Sequence, residues 1–211
     1  MKVQFAVDCI SLAKGIELAN QIRDYIEIIE LGEEFIAKYG HMAIREFKQE
    51  FPEKKILADI KIMDSGYKVG LPCLEAGADI ITVCSRAKEK TIAEAIRACR
   101  ETGKECFVDL VAEPDYQAVV EKINRLQPDY VCAHLSGDDS RDGQAETTRR
   151  LDAMMEEIKK CKFDAKLVLS GAIKVENIPS VKKCNPHHVI IGRAIKEAAD
   201  PVAVARTFFE A

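Results

Sequence analysis

Eight near-continuous apolar runs recur along this chain, at residues 3–7, 26–29, 55–58, 79–83, 105–108, 130–133, 166–169 and 188–191. Between them lie stretches whose apolar residues repeat at helical spacing, over 11–25, 42–51 (with a start anywhere from Glu33), 67–76, 90–101, 115–126, 146–161, 175–183 and 201–209. Ser11 suits an N-cap, and Gly77 and Gly103 suit helix ends. Strands apolar on both faces, alternating with helices through short links, indicate a parallel sheet covered by those helices. Eight such units in one chain predict a closed (β/α)₈ TIM barrel. An open doubly wound sheet is the competing architecture, but no G-x-G-x-x-G follows the first run. No stretch has linker composition, so residues 1–211 are expected to form one domain.

The residues that close these runs are polar or small: Asp8, Glu30, Asp59 with Lys61, Cys84, Asp109, His134, Ser170, and Gly192 with Arg193. In a barrel, strand ends share one rim, and that rim builds the active site. Strand alternation aims Asp59 and Lys61 the same way and Ile60 the other. Taken singly, an acid after a strand is a helix cap or a turn residue, and D-x-K is a salt bridge. Four carboxylates (Asp8, Glu30, Asp59 and Asp109) on one rim would repel unless cations intervene. Lys61 supplies one positive charge, and a divalent ion held by Glu30 and Asp59 would supply two more. Mg²⁺ suits such a site, because it takes one or two carboxylates and completes its shell with water and substrate oxygens.

The last two run ends differ. Ser170-Gly171-Ala172 and Gly192-Arg193 lead small, backbone-exposing residues into helices, a pattern suited to phosphate, with Arg193 as a forked donor. The alternative is that the glycines only permit tight turns.

A formal net charge of −4, without a basic stripe, gives no footing for nucleic acid. Residues 1–4 run straight into the first apolar run rather than reading as a leader, and no apolar run approaches the ~18 residues of a membrane span. The expected location is the cytoplasm. The eight cysteines, at positions 9, 73, 84, 99, 106, 132, 161 and 184, never form C-x-x-C and are expected to be reduced structural thiols. His41, His187 and His188 are expected at surfaces or turns.

Asp59-Ile60-Lys61-Ile62-Met63-Asp64 resembles the D-x-K-x-x-D motif of the orotidine 5′-phosphate decarboxylase superfamily. The whole chain looks like the branch holding 3-hexulose-6-phosphate synthase and 3-keto-L-gulonate-6-phosphate decarboxylase. The likeness runs through Phe5-Ala6-Val7-Asp8, Ile29-Glu30-Leu31-Gly32, Ala76-Gly77-Ala78-Asp79, His134 with Asp138 and Gly143, and Ala199-Asp200-Pro201. It implies a lyase that forms a Mg²⁺-stabilised 1,2-enediolate of a phosphorylated ketose. Glu30 and Asp59 would lie at the metal, Lys61 beside the enediolate oxygens, and His134 would move the proton. Asp64 would reach the neighbouring subunit's site, which implies a homodimer.

Within the branch, Lys61-Ile62-Met63-Asp64 and Val108-Asp109-Leu110 resemble the synthase, an aldolase joining ribulose 5-phosphate to formaldehyde. Gly137 stands where the decarboxylase has an Arg, and Asp109 where it has Glu. Gly192-Arg193 resembles the decarboxylase's phosphate site, and Leu135-Ser136-Gly137 departs from the synthase pattern. The synthase reading leads, the decarboxylase or a related sugar-phosphate lyase is the alternative, and a non-catalytic barrel that only binds sugar phosphate is a third.

Overall fold

The computed structural model describes residues 1–8 and 10–211. Eight parallel strands form a closed barrel in the order of the chain. They are β1 (Lys2–Val7), β2 (Ile28–Leu31), β3 (Lys55–Ile62), β4 (Ile80–Cys84), β5 (Glu105–Asp109), β6 (Tyr130–His134), β7 (Lys166–Ser170) and β8 (His188–Ile191). The helices between them are α1 (Leu12–Gln21), α2 (Glu33–Glu50), α3 (Gly66–Glu75), α4 (Glu89–Thr102), α5 (Tyr116–Leu126), α6 (Gln144–Ile158) and α7 (Ile178–Lys183). A four-residue α8 (Arg193–Lys196) and α9 (Pro201–Glu210) follow β8. The barrel closes where β1 meets β8, with Lys2 opposite His188 and Gln4 opposite Ile190.

Strand alternation divides the apolar residues into two cores. Inside the barrel lie Ala6, Ile28, Leu57, Ile80, Phe107, Tyr130, Cys132, Val168 and Ile190. The intervening strand residues, such as Phe5, Ile29, Ile56, Ile81 and Val108, face the helices and join their apolar sides in a larger core. Both strand faces are therefore dry, which is why the runs read as nearly unbroken apolar segments. Ser11 caps α1 as expected, its hydroxyl accepting from the Lys14 N–H at 3.2 Å.

Two expectations are corrected. The second strand begins at Ile28, not residue 26, because a 3₁₀ turn at Arg23–Tyr25 follows α1 and the register fixes Gln4 opposite Ile28. Glu30 consequently sits within the strand, one residue before its end. The helix before β3 starts at Glu33, the earliest start expected, and runs to Glu50 with a break at Gly40 (φ 60°, ψ −153°). His188 is neither surface nor turn: it is buried in β8, where its Nε2 lies 2.8 Å from Gln4 Oε1. His41 is exposed and His187 half-buried. The seven cysteines among the described residues are all free, and Cys9 lies outside the described residues.

Candidate active site

The charged residues at the strand ends meet around β3. Along that strand, the four steps from Ala58 to Ile62 face only two on β4, from Ile81 to Val83. This bulge puts Lys61 at φ 38°, in the left-handed region that a lysine rarely enters. Asp59 and Lys61 thus meet within a bulge, rather than by the plain alternation expected from sequence. Ile60 packs on the outer core, as expected.

Thr82 on β4 holds the bulge. Its Oγ1 accepts from the backbone N–H groups of Ile60 (3.0 Å) and Lys61 (2.9 Å) and donates to Asp59 Oδ1 (2.7 Å). The Lys61 ammonium contacts Asp59 Oδ2 directly, lies 3.0 Å from Glu33 Oε2 and 4.0 Å from Asp109 Oδ2. Burial opposes its charge, but Asp59 and Asp109 outweigh burial and raise its pKa, so it stays an ammonium.

Asp109 and His134 form a second pair. His134 Nδ1 lies 2.9 Å from Asp109 Oδ2 and 3.1 Å from Oδ1, and the Val111 N–H donates to Oδ1 at 2.9 Å. Burial pulls the imidazole's pKa down, yet the Asp109 charge more than offsets it and the net shift is upward. For Asp109, burial raises the pKa, and the imidazole and Lys61 outweigh it and hold the carboxyl below its ordinary value.

Glu30 is buried, and its Oε2 accepts from Gln4 Nε2 at 2.7 Å. Burial, then the Asp59 and Asp8 charges, raise its pKa well above the usual carboxylate range. Asp8 sits at the rim with one third of its side chain exposed, 3.9 Å from Lys196 Nζ, which also donates to the Asp8 carbonyl at 2.8 Å. Burial raises its pKa against the pull of Lys196. Gly32 makes room for it, since a Cβ there would fall 1.5 Å from Asp8 Oδ1.

Glu30, Asp59, Lys61, Asp109 and His134 are therefore linked by contact or by mutual charge in one acidic mouth, with Asp8 on its edge. The sequence profile of the orotidine 5′-phosphate decarboxylase / HUMPS family matches residues 1–208. The chain belongs to that family. A 3-hexulose-6-phosphate synthase from Bacillus subtilis is 33% identical over 205 residues, spanning 97% of this chain and 95% of that protein. The crystal structure of 3-hexulose-6-phosphate synthase from Salmonella typhimurium superposes with a TM-score of 0.91 at 32% identity, covering 100% of this chain and 97% of that one. The 3-keto-L-gulonate-6-phosphate decarboxylase of Vibrio cholerae shares the fold, with a TM-score of 0.79 at 22% identity over 99% of this chain and 95% of that one.

The remaining residues singled out from sequence lie outside the cluster. Ser170 is buried at the end of β7, opposite His134 across the sheet. Gly171 (φ 98°) and Ala172 (φ 52°) turn the chain sharply, and a Cβ at Gly171 would fall 2.1 Å from the Leu135 carbonyl oxygen. Gly192 precedes α8, and Arg193 is exposed, its guanidinium donating to Ser140 Oγ in the loop after β6. Asp64 is exposed ahead of α3 and makes no hydrogen bond or ion pair among the described residues.

Thr82, Gln4, Lys196 and Ser140 were not singled out from sequence. Thr82 and Gln4 carry a signal: each is a polar residue inside an apolar run, on the inward face two or four residues before a rim residue. For Lys196 and Ser140 nothing local in the sequence marks the partner. No helix among the described residues is long and apolar enough to cross a membrane.

Proposed function

We propose that this chain is an aldolase of the 3-hexulose-6-phosphate synthase type, joining ribulose 5-phosphate to formaldehyde through a 1,2-enediolate. One observation carries the reading: an imidazole held by Asp109 and an ammonium held by Asp59 share one mouth at the ends of β3, β5 and β6, with Asp109 within 4.0 Å of that ammonium. Identity of 33% to a synthase over nearly the whole chain supports the choice of substrate.

Asp109 engages Nδ1 of His134, so the tautomer with Nδ1–H leaves Nε2 free as the base. In the proposed reaction Nε2 takes a C1 proton from the ketose, and the bonding pair moves toward the carbonyl oxygen. Lys61, fixed before any charge develops, stabilises the resulting oxyanion. C1 then attacks the formaldehyde carbon, and the new alkoxide takes up a proton to give the 3-ketohexose phosphate.

The donor set fits Mg²⁺ of the two-carboxylate kind. Glu30 and Asp59 are buried carboxyl groups, and the like charges around Glu30 oppose its ionisation unless a cation shares the site. Among the described residues no three His, Cys, Asp or Glu side chains gather to hold a metal. The rest of the shell would therefore be water and substrate oxygens, as this ion prefers. When bound, Mg²⁺ would supply fixed positive charge for the enediolate oxygens.

Ser170, Gly171, Ala172, Gly192 and Arg193 are assigned to the phosphate. Asp64 is assigned to the neighbouring subunit of a homodimer. Its carboxylate, exposed and unpaired among the described residues, and the 54% exposure of the adjoining Met63 support that placement. The free thiols suit the reducing cytoplasm. Arg193 favours a second reading, the decarboxylase of a 3-keto sugar-acid phosphate.

The deciding experiment follows C1 proton exchange in deuterium oxide over a panel of ketose phosphates, with and without Mg²⁺. In parallel, formaldehyde-dependent loss of ribulose 5-phosphate is compared with carbon dioxide release from 3-keto-L-gulonate 6-phosphate. Exchange that disappears on chelation and in His134→Ala is expected. Absence of exchange with every ketose phosphate would overturn the enediolate, and carbon dioxide release alone would favour the second reading. Mixing Asp64→Ala with Lys61→Ala chains should restore part of the activity if sites are shared.

A further inference from the structure

A chain of hydrogen bonds crosses the barrel beneath the mouth and ends on Glu30. His187 Nδ1 lies 2.9 Å from His188 Nδ1, His188 Nε2 lies 2.8 Å from Gln4 Oε1, and Gln4 Nε2 donates to Glu30 Oε2 at 2.7 Å. Gln4 and His188 are completely or almost completely buried. Three adjacent strands, β8, β1 and β2, carry the chain across the seam where the barrel closes.

The direction of each bond follows from the acceptor at its end. As a metal ligand Glu30 is ionised and can only accept, so Gln4 presents its NH₂ there, as the 2.7 Å bond from Nε2 has it. The amide oxygen then faces His188, which must donate through Nε2–H. That leaves Nδ1 of a neutral His188 to accept from His187. Burial, then the His187 and Lys2 charges, push the His188 pKa down to about 3, which agrees with a neutral ring. Tyr130 packs edge-on against the same imidazole, ring centroids 5.5 Å apart. The amide of Gln4 is thus gripped at both ends and cannot flip without breaking two buried bonds.

We propose that Gln4, locked by His188, is a positioning residue that fixes the Glu30 carboxyl for the metal. The proposal rests on the reading of Glu30 as a ligand. Gln4 occupies Oε2, while Oε1 has no partner among the described residues and is not sealed from solvent. Oε1 is then the oxygen left to take the ion. Groups that orient a ligand in this way typically change metal affinity by about 10- to 100-fold when removed.

The test measures binding of Mg²⁺ alone to the purified chain by titration calorimetry, without substrate. Gln4→Met, similar in shape but unable to donate, should weaken Mg²⁺ binding by about 10- to 100-fold. His188→Leu should do likewise, while His188→Gln, which keeps an N–H donor, should restore most of the affinity. In the unmodified chain, ¹⁵N NMR should show His188 protonated at Nε2 alone. Unchanged affinity in Gln4→Met, or a His188 proton on Nδ1, would overturn the positioning role. A wild-type chain that binds no Mg²⁺ would remove the metal reading itself and this inference with it, a result distinct from failure in the variants only. If Gln4→Met does not fold, the His188 variants and the tautomer decide the question.

Discussion

Replacing Thr82 with valine keeps the side chain's shape and deletes one oxygen. That oxygen makes three hydrogen bonds, to the N–H groups of Ile60 and Lys61 and to Asp59 Oδ1. Neutral bonds contribute about 1 kcal/mol each, and bonds to a charged group about 1.5–3 kcal/mol. Ile60 and Lys61 are only partly buried, so water can recover part of the loss. Thr82→Val should therefore cost about 2–4 kcal/mol. For a chain of this size that lowers Tm by about 5–15 °C. The chemical consequence follows from the bulge. Without Thr82 nothing else described pins the two N–H groups at the turn, and Asp59 loses the donor on its second oxygen. A shift of about 1 Å in a reacting group costs about 100-fold in rate. Turnover should fall about 10- to 100-fold, with KM changing less than kcat. Thermal melts followed by circular dichroism, together with the C1 exchange rate, check both effects. A variant whose Tm stays within about 2 °C and whose exchange rate stays within about twofold of wild type would refute Thr82 as the support of the bulge.

Asp109→Asn should lower the pKa of His134, because burial would then act with its main opposing charge gone. The raised His134 pKa contributes stability below about 6.5 that is lost as pH rises through its folded value, and the lowered Asp109 pKa contributes stability above about 3.9 that is lost on acidification. The pair thus stabilises most between about pH 4 and 6.5, and urea titrations should show the largest gap between wild type and variant there. The acid limb of kcat/KM should move to lower pH in the variant, and an unmoved limb would remove His134 as the base. Gly66→Ala places a Cβ 2.0 Å from the Thr91 carbonyl oxygen and 2.7 Å from the Ala95 nitrogen, both backbone atoms of α4. Helices α3 and α4 would have to part, at about 3 kcal/mol, whereas Gly137→Ala, with open space around it, should be nearly neutral. Equal urea midpoints for the two would contradict that close approach.

Much of the fold was readable along the chain because burial on both strand faces leaves an unbroken apolar run, and that signal is local. The apolar pattern alone starts the second strand two residues early, because Ile26 is as apolar as the strand itself and only the register with β1 separates them. The place of His188 is hidden in the sequence for a related reason. One of its polar partners, His187, is adjacent, but the other, Gln4, is 184 positions away, so the sequence around it does not show that both ring nitrogens are satisfied inside the barrel. The site residues Glu30, Asp59, Lys61, Asp109 and His134 were visible as breaks at the ends of apolar runs. Thr82 and Gln4 interrupt such runs too, but an isolated polar residue does not reveal which acid it serves.

Sequence by itself determined that this chain forms eight strand–helix units with their ionisable residues at one end, since side-chain direction in each element follows a short local period. It also carried the D-x-K-x-x-D segment that marks the family. Only the tertiary structure decided the pairings: Lys61 on Asp59 through a bulge, His134 on Asp109, and Glu30 on an amide held by β8. Which charges meet depends on the register and closure of the barrel, and those are set by packing among elements far apart in the chain.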